Sequence, residues 1–331
     1  MIKYGHIEPE NIFSFIVPKD IVPCRIDHYI TKLFPDYSRS YLQRIITAGC
    51  VTVNAISIKK SSTLIYETNT ILVQFPPERT IEPATIIDKT INVSIIAITD
   101  HFIMIHKPAH LLVHPSSTRN TSITLVDWIQ YNYSDISLIG NSVRPGIIHR
   151  LDKETSGIMI ITRTNYAHNA IGELFRGRHI QKTYKAVVAG HPNKEGTITL
   201  AIGRDPINRI KMASFDEEKI DNNGKINNIK VRNAKTHYKV LEYFENTTLI
   251  EVKPTTGRTH QIRVHMAAIG HPIIGDQLYG TSSPLINRQA LHAESLSFFF
   301  NETPYSFSSK IPDDFQQLLI NLRTPFMKKN N

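Results

Sequence analysis

The sequence predicts an α+β protein, with a mainly antiparallel sheet in its larger part and a small helical and stranded unit ahead of it. Three observations carry that expectation. Short segments of alternating apolar and polar residues recur at the spacing of hairpin arms, at 95–98 with 102–105, at 182–188, and at 237–243 with 249–252. Helical periodicity is confined to a few short stretches. A Pro-rich, charged segment beginning Phe75-Pro76-Pro77-Glu78-Arg79 separates two patterned regions. The organisation expected is a tail over 1–21, the small unit over 22–76, a linker over 77–90, the large domain over 91–325 and a second tail over 326–331.

Within the small unit, Ile26, Tyr29, Ile30, Leu33 and Phe34 recur at helical spacing up to Pro35. A second helix follows, with Ser40 and Gln43 at the spacing of a capping box, Leu42, Ile45 and Ile46 on one face, and Gly49 as a left-handed cap. Residues 51–58 alternate like a strand and its return, and 12–17 could form one more strand. In the large domain, Leu125 and Ile129 place a helix after Thr124 that packs Trp128, and 167–175 reads as another. The segment 216–230 reads as a long exposed loop, and 146–160 as two buried strands enclosing a dense polar turn.

Bulk properties narrow the class. A chain of 331 residues, 41% hydrophobic and 20% charged, can bury a core without disulfide staples. The two cysteines, Cys24 and Cys50, lack ligand spacing and fit a reducing cytoplasm. No secretory signal and no apolar run of about 20 residues is present, so no membrane span is expected. A net charge of +9, with a pI near 9.4, favours an anionic partner.

Several chemistries find no support. There is no phosphate-cradling Gly-rich loop and no nucleophile elbow. His260 and His265, five residues apart, share no helical or strand face, so no metal site is expected. Asp152 and Glu154 are two apart, which does not aim both at one substrate. Asp152 follows Arg150 and precedes Thr155-Ser156-Gly157. A carboxylate held by a cation and by hydroxyl or amide donors stays ionised at neutral pH, which suits a nucleophile better than a general acid. A purely structural Asp–Arg pair would account for the same spacing.

Two resemblances extend this. Arg25-Ile26-Asp27, the junction Phe34-Pro35-Asp36-Tyr37-Ser38-Arg39-Ser40 and Gly49-Cys50-Val51-Thr52-Val53-Asn54 resemble the S4 RNA-binding domain. Its basic residues here, Arg25, Lys32, Arg39 and Arg44, could line one face and meet phosphates. That pattern prefers Gly after the turn Asn, whereas Ala55 stands here, at a cost on the order of 1 kcal/mol if φ is positive.

The second resemblance covers most of the chain. Gly146-Ile147-Ile148-His149-Arg150-Leu151-Asp152 with Thr155-Ser156-Gly157, then Lys182-Thr183-Tyr184-Lys185-Ala186, then Thr256-Gly257-Arg258-Thr259-His260-Gln261-Ile262-Arg263-Val264-His265 resemble, in order and spacing, the motifs of the RluA/RluD family of pseudouridine synthases. Lys107-Pro108, His114-Pro115, His271-Pro272-Ile273-Ile274-Gly275-Asp276 and Arg288-Gln289-Ala290-Leu291-His292-Ala293 extend the match, and the 34–40 junction leans toward the RluD branch.

The resemblance implies a pseudouridine synthase fold, with a central cleft in a mixed, mainly antiparallel sheet. It also implies isomerisation of uridine in structured RNA, most simply large-subunit ribosomal RNA, by a monomer that needs neither cofactor nor metal. Asp152 then matches the nucleophile, Arg263 its partner cation, Arg150 the residue that displaces the target base, and Tyr184 the ring that stacks on the flipped uracil and handles a proton. His149, Thr155, Ser156, Gly157, Gly257, Arg258 and His260 are supporting motif residues, while Lys153 and Glu154 read as surface charge. Two alternatives are a non-catalytic protein that binds ribosomal RNA or assists ribosome assembly, and a glycosylase that flips a base but releases it.

Overall fold

The computed structural model describes residues 5–6, 12–35, 37, 39–75, 91–114, 123–133, 136, 139–141 and 144–324. The expected linker at 77–90, the tail at 326–331 and Pro115 lie outside them. The small unit runs β1 (Gly5–His6), β2 (Ile12–Ile16), β3 (Cys24–Arg25), α1 (Ile26–Leu33), α2 (Arg39–Thr47), β4 (Val51–Val53), β5 (Ile56–Ser57), β6 (Leu64–Ile65) and β7 (Thr70–Gln74). Five of these strands form one sheet in the order β1-β2-β7-β4-β5. Ile26, Ile30, Leu42, Ile45 and Ile46 from the helices pack on Val51, Ile71 and Val73 from the sheet. Gly49, at φ +82°, ends α2 as expected: its N–H reaches Ile46 O and the Cys50 N–H reaches Ile45 O, both at 2.9 Å.

Two expectations for this unit need correction. Residues assigned to a 1–21 tail belong to the sheet, because β2 pairs with β7 along its whole length and buries Phe15 and Val17. Without it, β7 would leave an open edge. Ser40 is also not the N-cap: α2 starts at Arg39, so Ser40 lies inside it, and the Gln43 amide donates to Asp27 Oδ2 at 2.7 Å. Asp27 is fully buried and also accepts from Arg25 at 3.0 Å and Arg39 at 2.8 Å. Burial alone would raise this carboxyl, but the donors from Arg25, Gln43 and Arg39 hold it well below the usual range.

The large part continues with β8 (Ser94–Ile98), β9 (Phe102–Lys107), α3 (Leu125–Asn132), β10 (Gly140–Asn141), β11 (Arg144–Pro145), β12 (Ser156–Thr162), α4 (Asn165–Arg176) and β13 (Gln181–Ala189). Then follow β14 (Glu195–Ile198), β15 (Leu200–Arg204), β16 (Met212–Asp216), β17 (Lys225–Ile226), β18 (Ile229–Arg232), β19 (Thr236–Tyr243) and β20 (Thr247–Pro254). The chain closes with α5 (Gln261–Ala268), β21 (Leu291–Phe300), β22 (Thr303–Ser308) and α6 (Asp313–Arg323). A nine-stranded sheet in the order β14-β19-β20-β13-β21-β12-β9-β8, with β22 on β21, forms the frame. Its β12–β21 pair is parallel and its other pairs are antiparallel.

Two apolar cores lie along that sheet. One joins Met104, Ile158 and Ile160 to Trp128 and Ile129 of α3 and Ile171 of α4. Thr124 caps α3 in a capping box with Asp127. The other joins Val187 and Ile250 to Ile262 and Met266 of α5 and Phe315 and Leu318 of α6. The middle of the sheet is therefore covered, and loops at its edge are held at both ends. No helix among the described residues is long and apolar enough to cross a membrane.

Two further expectations need correction. The segment 216–230 is exposed and mostly outside strands, but it is not one continuous loop: β17 and the start of β18 lie within it, and β16, β17 and β18 join β15 in a sheet of order β16-β15-β18-β17. Its small core unites Ala201, Ile226 and Val231 with Phe215, Ile220 and Ile229. The reason is a hairpin turn at Asn227 and Asn228, with φ of 49° and 66°, that lets short polar strands pair. The run before the polar turn is no strand either. Only Ile147 pairs, in an isolated bridge to Ile161.

Candidate active site

Asp152 sits on the turn between β11 and β12, closed by the Thr155 N–H on Asp152 O at 3.1 Å. Buried side chains grip this turn from below. Lys107 Nζ donates to Lys153 O at 3.1 Å, as well as to Pro108 O and Leu111 O, and Arg288 Nη1 donates to Glu154 O at 3.2 Å. Lys153 and Glu154, expected to be mere surface charge, thus lend the turn their carbonyls. Gln289 donates to Thr155 Oγ1, and Ser156 Oγ lies 3.0 Å from His292 Nδ1. Gly157, at φ +127°, packs so closely on the Ala293 backbone that a Cβ has no room. His149 Nε2 accepts the Ile160 N–H at 3.1 Å, and its ring stacks on Phe175. Burial pushes His149 down to about 3, so it is a neutral acceptor.

Arg263 arrives from α5. The loop ahead of that helix is shaped by Gln261, whose Oε1 accepts from Thr256 Oγ1 at 2.7 Å and Arg258 N at 3.0 Å. Its amide donates to Lys235 O and Thr236 Oγ1. His260 takes a left-handed conformation, φ 56°, at the helix start. Arg263 Nη1 then reaches Asp152 Oδ2 at 3.0 Å. Its other two nitrogens meet Asp276, Nε to Oδ2 at 2.7 Å and Nη2 to Oδ1 at 2.9 Å. Asp276 is fully buried and takes two more donors, the N–H groups of Leu278 and Tyr279. The Arg263 guanidinium lies 5.0 Å over the Tyr279 ring.

Tyr184 comes from β13, at a register shift between Thr183 and Tyr184 in the pairing with β21. Burial, and then the Asp152 charge, push its phenol up, so it is a neutral hydroxyl through the physiological range.

These side chains share a cleft of about 720 Å³, ample for a flipped nucleotide. Arg144, Arg150, Arg176, Arg178, Lys182 and Arg258 line it with Arg263, against Asp152 as the acidic lining residue. Lys182 Nζ donates to Thr256 O, and burial pulls it down to about 8. Arg150 is exposed at the mouth, its Nη1 3.4 Å from His114 Nε2. Burial, Arg144 and Arg150 bring His114 down to about 4, so it is an uncharged partner. Gly257 also lines the cleft, and a Cβ there would meet nothing closer than Lys182 Nζ at 3.9 Å. Among the described residues the cleft sets one carboxylate among seven cations, which suits a polyanion whose sugar is presented to that carboxylate.

The small unit's basic residues lie elsewhere. Arg25 and Arg39 turn to Asp27 while their side chains remain 42% and 48% exposed. Lys32 is exposed in the last turn of α1, and Arg44 lies over the Tyr41 ring. His265 is buried against Thr236 Oγ1 and Leu200 O, turned away from His260. Among the described residues, no group of three or more His, Cys, Asp or Glu side chains could hold a metal.

The family model described as RNA pseudouridylate synthase matches residues 101–268, the stretch that carries Asp152, Tyr184 and Arg263. The chain belongs to this family. It is 34% identical over 313 residues to a ribosomal large subunit pseudouridine synthase D of Zymomonas mobilis, covering 91% of this chain and 94% of that one. An uncharacterized RNA pseudouridine synthase of Aquifex aeolicus is 38% identical over 270 residues, 81% of this chain and 80% of its own. The solved structure of human RNA pseudouridylate synthase domain containing 4 superposes with a TM-score of 0.54 at 26% identity, over 70% of this chain and 93% of that one.

This RNA pseudouridine synthase therefore has the expected α+β fold with a mainly antiparallel sheet. Four site residues escaped sequence reasoning: Lys107, Gln261, Asp276 and Tyr279. Each except Tyr279 lies inside a motif quoted from the sequence, but nothing local assigns it a partner. An Arg destined for a buried site needs more acceptors than one carboxylate supplies, and that was the available signal for Asp276.

Proposed function

We propose that this pseudouridine synthase isomerises specific uridines in structured large-subunit ribosomal RNA, with Asp152 as the nucleophile. The observation that carries it is the Arg263 bridge: two nitrogens are fixed on buried Asp276 and the third holds Asp152 in a cationic cleft. A protein that only gripped RNA would have no use for a carboxylate in a cleft that must attract phosphate. Relatives named ribosomal large subunit pseudouridine synthase D, including one from Neisseria meningitidis at 37% identity over 96% of this chain, support the choice of RNA.

Each role follows from chemistry. Extruding a base costs a few kcal/mol. Arg150, exposed at the mouth, takes the place of the displaced base, and Tyr184 stacks on the flipped uracil for about 1–3 kcal/mol. As a neutral phenol, Tyr184 donates a proton rather than accepting one at neutral pH. Asp152 acts at the sugar while the N-glycosidic bond breaks, and the retained uracil turns and rejoins through carbon 5. Arg263 orients the carboxylate for that step. Arg25, Lys32, Arg39 and Arg44 supply phosphate contacts from the S4-like unit, which makes binding fall steeply with salt. The enzyme works on RNA in the cytoplasm as a monomer.

The test is a map of pseudouridines in total RNA from cells with the gene disrupted. Sites in large-subunit ribosomal RNA should vanish and return with the wild-type gene but not with Asp152→Asn. An unaltered map would refute the proposal.

A further inference from the structure

Tyr279 touches both neighbours of Asp152. Its ring underlies the Arg263 guanidinium, and its hydroxyl lies 2.8 Å from His260 Nδ1. We propose that Tyr279 is a positioning residue for the reaction, fixing His260 in the tautomer whose Nε2–H faces the Asp152 oxygen that Arg263 leaves free. The proposal rests on Asp152 being the nucleophile.

The hydrogen-bond inventory favours one tautomer. The Tyr279 oxygen accepts the backbone N–H of Met212 at 2.7 Å. Its one proton then needs an acceptor, and among the described residues His260 Nδ1 is the acceptor within reach. Burial keeps the phenol protonated and the imidazole neutral. A neutral imidazole that accepts at Nδ1 carries its proton on Nε2. That nitrogen lies 3.9 Å from Asp152 Oδ1, while Oδ2 is committed to Arg263. At 3.9 Å there is no hydrogen bond, so Oδ1 stays open to a sugar atom with a fixed donor behind it. The left-handed backbone of His260, uncommon outside glycine, is what turns the ring toward the cleft.

The experiment uses the full-length protein with 15N-labelled histidine, the His260 signals assigned by their loss in His260→Gln. Wild type should show an unprotonated Nδ1 and a protonated Nε2, and Tyr279→Phe, which keeps the ring under Arg263, should give a tautomer mixture. Tyr279→Phe should also lower kcat on ribosomal RNA about tenfold with KM unchanged, and do nothing further in the His260→Gln background. A wild-type proton on Nδ1 would overturn the proposal. So would a Tyr279→Phe effect of equal size in both backgrounds, or one confined to KM. The tautomer is read without turnover, so it is decided whatever RNA the enzyme takes.

Discussion

Asp276 holds Arg263 by two parallel hydrogen bonds, at 2.7 and 2.9 Å, with its carboxylate fully buried. The pairing leaves Nη1 of Arg263 as the group that meets Asp152. Breaking one side of a buried pair costs about 3–5 kcal/mol, so Asp276→Asn should lower the unfolding free energy by that order in urea titrations at neutral pH. Burial alone would raise Asp276, but the Arg263 hydrogen bonds and charge hold it below the ordinary carboxylate range. A carboxyl whose folded pKa is depressed contributes stability above its unfolded value, about 3.9, and loses it as pH falls through the folded one. The gap between wild type and Asp276→Asn should therefore narrow in acid, which the same titrations at about pH 3 would measure.

Lys107 gives the same slope in a higher pH window, although here the cause is burial of a cation rather than pairing of a carboxylate. Burial is the main cause that brings it down to about 7. Between there and its unfolded value, about 10.4, the unfolded chain binds more protons, so the wild type gains stability as pH rises. Lys107→Met keeps the stem packed but removes the titration and the grip on Lys153 O. Its stability should be flat over that range where the wild type climbs, and its kcat should fall about tenfold as the turn loosens.

Gly157 is where the turn that carries Asp152 enters the sheet against Ala293. Gly157→Ala drives a Cβ into the Ala293 backbone at a φ that disfavours side chains. The expected loss is about 3 kcal/mol or more, from overpacking and backbone strain together. Thermal unfolding would register it directly.

Ala55 takes φ 65° in the turn between β4 and β5. Ala55→Gly should stabilise the small unit by about 0.5–1 kcal/mol, the relief of a left-handed Cβ less the entropy of a more flexible unfolded chain. A denaturant midpoint for the whole chain measures it.

How much of this was legible in the sequence depended on whether partners are local. The α+β class, both small-unit helices, the Gly49 cap and the strands at β8, β9, β13, β19 and β20 follow from periodicity that short windows contain. Residues 12–17 read as one possible strand within a tail; that this strand belongs to the small unit was not legible, because its place is set by a partner about 60 positions away at β7. The 216–230 segment was taken as a loop because its strands are short and polar, although Asn227-Asn228 is itself a hairpin turn signal. Asp152, Tyr184 and Arg263 line one cleft as the motifs implied. Asp276 and Tyr279 were not assigned roles, because only folding brings them under α5.

The central claim is that Asp152 carries the chemistry, and the most direct measurement is single-turnover conversion of uridine to pseudouridine by Asp152→Asn on large-subunit ribosomal RNA, with RNA binding followed in parallel. The account expects conversion to fall by at least about 1,000-fold while Kd for the RNA is little changed. Conversion at close to the wild-type rate would contradict it.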